Sequence, residues 1–224
     1  MGWSDDPPTY REGNYGMKIE DFGPITLSRG AHKSPREGMC FMEMVSFLAG
    51  AEWSDMPDCS SPVVARFCQR INDNFPQEDR DQLQRYVPRL IGTASPEHEQ
   101  ERAEYLAWSA IRVFAPAVLE KCGLTALSEE LRDFQGTLGE AKKEIDIIIS
   151  ATRVLPIETA SIAAELAASN DAECAAIFAA DAARDHDPAL IFEVLDGLLE
   201  IGPSGTDYTQ AQIKRVPALI EAIA

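Results

Sequence analysis

Apolar residues recur every three or four positions along most of this chain, and the stretches that carry the recurrence open and close on helix-capping residues. Ser34-Pro35-Arg36-Glu37 has the form of a capping box with proline at the first helical position. It predicts a helix running to about Leu48 and stopping at Gly50, with Cys40 in its second turn and Glu43 three residues on, along the same side. Ser61-Pro62 repeats the start signal. Val63, Val64, Phe67, Cys68 and Ile71 follow at helical spacing until residues 72–76 break it. Residues 77–91 are amphipathic and contain Pro88, which must kink or divide them. Ser95-Pro96-Glu97-His98 opens the longest candidate, through Tyr105, Leu106, Trp108, Ile111 and Val113, with a kink expected at Pro116. A short helix is expected over 125–134, then further helices over 140–154, 157–168, 171–184, 188–201 and 208–224. Short helices joined by short turns predict a mainly α fold, a helical bundle or stacked helix pairs. Only the start of the chain departs from this. Residues 1–16 read as an irregular arm, and 17–22 with 25–28 flank Gly23-Pro24 as a short β-hairpin.

Composition divides the chain. Beyond Gly139 alanine becomes frequent and aromatics sparse, which marks 1–135 and 136–224 as two helical regions, either separate or parts of one domain. The formal net charge is −17. Residues 1–135 carry 14 basic and 22 acidic side chains and residues 136–224 carry 6 and 15, so the second region is the more densely acidic. Such a balance repels nucleic acid and anionic membrane, and direct nucleic-acid binding is not expected. Five cysteines, an odd number with no close pair, point to free thiols in a reducing compartment. No signal peptide and no apolar run of membrane-spanning length is visible, so the expected location is cytoplasmic.

Chemistry-bearing residues concentrate between Ser28 and Asn74: His32, Cys40, Glu43, Trp53, Asp55, Asp58, Cys59 and Cys68. Three readings compete. In a structural reading Cys40 and Cys68 are small core side chains, Glu43 holds backbone donors of the 53–59 loop, and Asp55 caps the turn before Pro57. In a metal reading His32, Cys40 and Cys59 are zinc-ligand types with Glu43 or Asp55 as a fourth. The cysteines lie far apart in sequence, and neither belongs to the close pair that structural zinc sites use. In a nucleophile reading a helix N-terminus favours the Cys40 thiolate and His32 is the base. Phosphate-loop, dinucleotide, serine-hydrolase and zinc-protease signatures are missing, so no cofactor is implied. His98 and His186 lie in polar surroundings and are expected at the surface.

Gly30-Ala31-His32, Gly38-Met39-Cys40-Phe41-Met42-Glu43, Leu48-Ala49-Gly50 and Trp53-Ser54-Asp55-Met56-Pro57-Asp58-Cys59 together resemble a largely uncharacterised bacterial and phage family. Some of its members are loosely labelled immunity-protein-like. Arg89-Leu90-Ile91-Gly92-Thr93 looks like a second shared block, and the resemblance spans about residues 25–135. It implies a bacterial or bacteriophage source and carries over no catalytic residue.

The acidic surface supplies the remaining candidate. Glu193, Asp196 and Glu200 are spaced three and four apart and so share one side of a helix. A face of that kind suits a basic protein partner. The expected function is therefore non-enzymatic: binding of a macromolecule, as by an immunity-type protein or a phage inhibitor of a host system. A small enzyme or zinc protein centred on His32, Cys40, Glu43, Asp55 and Cys59 is one alternative, and a structural component of a phage assembly another.

Overall fold

The computed structural model describes residues 25–205 and 209–223, so the expected arm and the first half of the hairpin lie outside the described residues. Residues 25–28 are extended chain and pair with no strand. The Leu27 amide donates to the Asp81 carboxylate at 2.8 Å and the Ser28 amide to the Met39 carbonyl at 2.7 Å. Among the described residues there is no strand or sheet, and the architecture is mainly α.

The capping signals place most of the helices. After α1 (Phe41–Ala49), which Gly50 ends in a left-handed conformation, Ser61 caps α2 (Pro62–Asn74) by accepting from the Val64 amide. Pro88 divides the next stretch as expected. It has no N–H for the Gln84 carbonyl, and the amide of Val87 donates there instead. A tight 3-10 turn, Leu83–Tyr86, thus separates α3 (Gln77–Gln82) from α4 (Val87–Leu90). The longest helical run comprises α5 (Glu99–Ser109), a π turn at Ala110–Phe114 and α6 (Ala115–Lys121). The widened turn accommodates Pro116, whose ring would strike the carbonyl one regular turn earlier. α7 (Thr125–Arg132) follows. α8 (Leu138–Thr152) begins two residues ahead of expectation because Thr137 and Glu140 form a capping box. α9 (Glu158–Ala168), α10 (Ala172–Ala182, capped by Asp171), α11 (Pro188–Leu198, capped by Asp187) and α12 (Gln210–Ile223) complete the chain.

Alanine explains the packing of the second half. Ala160, Ala163, Ala164 and Ala167 of α9 are fully buried, as are Ala175, Ala176, Ala179 and Ala180 of α10. Small faces let these two helices approach closely, and α10 then lies against α2 and α5. One continuous hydrophobic core joins helices from both compositional regions. α11 meets α5 at Gly197, where an added Cβ would come within 2.0 Å of the Tyr105 hydroxyl. α12 closes on α1, and the Arg215 Nε donates to the Phe47 carbonyl at 2.6 Å.

Charges inside this core hold the turns. Arg102 is fully buried. Its guanidinium donates to the carbonyls of Thr93 (2.7 Å) and Ile201 (2.7 Å) and to Glu99 Oε1 (3.1 Å). The other Glu99 oxygen accepts from Ser61 Oγ at 2.7 Å and the Val63 amide at 3.2 Å. The pair of buried Arg102 and half-buried Glu99 therefore fastens α5, the start of α2 and the turn after α11. Arg80 does the same for the end of α2, donating to the Asn72 and Phe75 carbonyls at 2.8 and 2.7 Å.

His186 corrects an expectation. It is buried, with its ring 5.3 Å from that of Phe114. Asp185 adopts a positive φ of 63° after α10, and this bend returns the next side chain to the interior. Burial and the nearby Lys121 charge pull the imidazole below its usual value of 6.5. A histidine that resists protonation when folded binds fewer protons than the unfolded chain, so its contribution to stability is present above 6.5 and is lost as pH falls from there through the folded value. Urea melts across this range should show stability declining with acid, and the decline should be smaller in His186→Phe. Equal slopes for the two proteins would show that His186 titrates normally.

Candidate functional site

The segment singled out by its chemistry folds around Glu43. Phe41, Met42, Met44 and Val45 surround it in α1, and its side chain is 1% exposed. A carboxylate in such a place is costly unless donors converge on it. Here they do. The His32 amide donates to Oε1, while His32 Nδ1 and the Cys40 amide meet Oε2 at 2.8 and 2.7 Å. Trp53 then closes over the far side of the loop, its indole N–H reaching the His32 carbonyl at 2.7 Å.

This arrangement overturns the expected start of α1. Ser34 makes only an isolated turn, with the Glu37 amide donating to its carbonyl at 3.1 Å. Gly38 follows at φ +137°, which a helix cannot contain. The His32 ring presses on that glycine so closely that an added Cβ would stand 2.6 Å from it. Cys40 is thus the N-cap and lies outside the second turn, and the working capping box is Cys40 with Glu43. The loop that Glu43 holds is also the upstream one, residues 31–40, where the 53–59 loop was expected. The downstream loop is fastened by Ser46, whose Oγ accepts from the Ser54 amide at 3.2 Å. Ser54, not Asp55, supplies the turn bond before Pro57, accepting from the Met56 amide at 3.0 Å.

The structure brings His32, Cys40, Glu43 and Trp53 together. Asp55 reaches the same neighbourhood from the other side: with Cys40 it lines a cleft of about 260 Å³ between the 30–31 loop, α2 and α10. Arg66 and Arg70 edge this cleft and are already paired to α10, Arg66 with Glu173 at 3.1 Å and Arg70 with Asp181 at 2.6 and 3.0 Å. Cys59 does not join the group. Its carbonyl accepts from the Gly92 amide at 2.8 Å, which fixes it to the turn after α4. Among the described residues no three His, Cys, Asp or Glu side chains are grouped to hold a metal ion, and all five cysteines are free.

The order of the groups determines their chemistry. A nucleophile, base and orienting acid must be linked with the base in the middle. Here the acid is in the middle: Glu43 touches both His32 and Cys40, and no hydrogen bond joins those two. Burial pushes the Cys40 thiol far up, and the neighbouring Glu43 carboxylate adds to the rise. The thiolate that a nucleophile or a metal ligand needs is therefore disfavoured.

The acidic row is also partly engaged, and it is not all on one helix as expected: α11 carries Glu193 and Asp196 but ends at Leu198, which leaves Glu200 in the turn that follows. Arg89 pairs with Asp196 and, at 2.9 Å, with Glu200. Tyr86 donates to Asp196 at 3.3 Å. Glu193 is exposed and has no ion pair among the described residues. Sequence reasoning missed Arg102, although a signal was present. It precedes Leu106 by four residues, which places it on the buried stripe of α5.

Comparison with protein-family models, with curated proteins and with solved structures finds no match to this chain.

Removing the carboxylate leaves three donors without an acceptor. Glu43→Ala should cost about 3–5 kcal/mol in chemical denaturation. Cys40→Ser should stay within about 1 kcal/mol of the wild type, because serine is the better N-cap. A large loss in Cys40→Ser would give the thiol a role beyond capping.

Proposed function

We propose that this chain is a non-enzymatic, acidic helical protein that acts by binding a protein partner of basic character. In a bacterial or phage setting this is the role of an immunity-type protein or of an inhibitor of a host system. The observation that carries the reading is the saturation of Glu43: the one segment with catalytic residue types spends its carboxylate on the His32 amide, the His32 imidazole and the Cys40 amide, which holds the 31–40 loop to α1. What is left for function is the surface. With a net charge of −17 that surface attracts cationic partners over long range and repels nucleic acid. Of Glu193, Asp196 and Glu200, Glu193 is the one free to meet such a partner, since Arg89 occupies the other two.

Crosslinking of the purified chain in its native host, followed by titration against the recombinant partner, tests this. Affinity should weaken as salt rises, and Glu193→Lys should slow association more than it speeds dissociation. Cys40→Ser should retain both affinity and cellular effect. A cellular effect abolished by Cys40→Ser, in protein whose melting temperature is unchanged, would contradict the proposal and return the segment to catalysis.

A further inference from the structure

The cleft lined by Asp55, Arg66 and Arg70 holds charged groups of both signs that the fold leaves partly unused. Arg66, Arg70 and Asp73 are spaced four and three apart on α2 and so share one side of that helix, and all three line the cleft. Each arginine spends only part of its guanidinium on the protein. Arg66 Nε meets Glu173 and its Nη1 donates to Gln69 Oε1 at 3.3 Å, which leaves Nη2. Arg70 gives Nε and Nη2 to Asp181, which leaves Nη1. Neither remaining nitrogen has an acceptor among the described residues, and neither is sealed from solvent. The carboxylates are in the same condition. Asp73 Oδ1 accepts from the Gly30 amide at 2.8 Å and from Asn72 Nδ2 at 3.1 Å, while Oδ2 has no donor among the described residues. Asp55 is half-buried, and its carboxylate has no hydrogen bond or ion pair among the described residues and keeps contact with solvent. Only its backbone is used: Gln69 Nε2 donates to the Asp55 carbonyl at 2.8 Å and fixes the loop to α2. A charge partly withdrawn from water without a partner is unfavourable, and a ligand of opposite sign relieves it.

We propose that this cleft is a binding site for a small zwitterion of amino-acid type, with one ammonium and one carboxylate a few bonds apart. The ligand carboxylate accepts from Arg66 Nη2 and Arg70 Nη1, and the ammonium donates to Asp55 and to Asp73 Oδ2. Glu173 and Asp181 serve as fixed partners that hold the two planar guanidinium groups in place. A ligand of a single sign satisfies half of the cleft and meets the other half as like charge. The size fits: an apolar cavity of roughly 150 Å³ holds a benzene ring, and this cleft of about 260 Å³ takes a molecule of amino-acid size. The site does not depend on the protein partner proposed above.

The probe is L-alanine, added to the full-length protein and followed by two-dimensional NMR. N-acetyl-L-alanine, which lacks the ammonium, and L-alanine amide, which lacks the carboxylate, are the controls. L-alanine should give saturable shifts at the Gly30 amide and the Gln69 side-chain amide. Each control should bind about 10-fold more weakly, through the loss of one charged partner. Asp55→Asn keeps the side-chain volume, and no hydrogen bond among the described residues runs through the carboxylate it removes. In that variant L-alanine should weaken about 10-fold while N-acetyl-L-alanine is unchanged. Absence of saturable shifts with L-alanine would overturn the proposal and leave the cleft to solvent. Equal affinity for the three compounds, or equal L-alanine affinity in wild type and Asp55→Asn, would overturn it as well.

Discussion

A carboxylate has been placed where the surrounding sequence is wholly apolar, and the local structure is organised by the need to satisfy it. Glu43 lies between Met42 and Met44 with 1% of its side chain exposed. An isolated charge there would cost several kcal/mol. The cost is offset only if the 31–40 loop folds back to deliver two amides and an imidazole. That return fixes the first residue of α1, seats the His32 ring on Gly38 and gives Trp53 its acceptor. α1 in turn packs on α2, α4 and α12, so the clasp at one helix end sets the position of a face used by three others.

The remaining internal charges follow the same logic. Arg80 is a long donor that reaches carbonyls left unpaired at the end of α2, and Arg102 reaches carbonyls of the turns that follow α4 and α11. Glu99 works in the opposite direction, accepting at the start of α2, where the helix dipole favours a negative group. Each of these groups joins segments distant in sequence, and the apolar contacts fill the space between. Surface pairs such as Arg66 with Glu173 are screened and contribute far less.

The helices were legible because capping is local. Ser61, Asp171 and Asp187 announce α2, α10 and α11 within four residues of sequence. The start of α1 was misread because two capping boxes compete within ten residues, and the winner uses a cysteine. What goes with it is the return of the 31–40 loop onto the buried Glu43 and the positive φ of Gly38, which a capping pattern does not display. The candidate segment was legible as a concentration of reactive types, and its use was not. Whether Glu43 touches a base, a metal or a backbone amide depends on how a loop returns. Cys59 shows the same limit, since only the fold ties it to Gly92. His186 was misplaced because polar neighbours in sequence do not reveal a positive-φ bend at Asp185.

Hydrogen exchange at single amides under native conditions tests the organising role of Glu43 most directly. The amides of His32 and Cys40 lie in a loop and at a helix cap, positions that ordinarily exchange by local opening. Bound to a buried carboxylate, they should exchange only with global unfolding, as slowly as the interior of α1. The Lys33 amide, whose acceptor is the Glu37 side chain at an exposed site, should exchange quickly. Rapid exchange at His32 and Cys40, with α1 still protected, would show that the loop opens independently and that the clasp does not organise the fold.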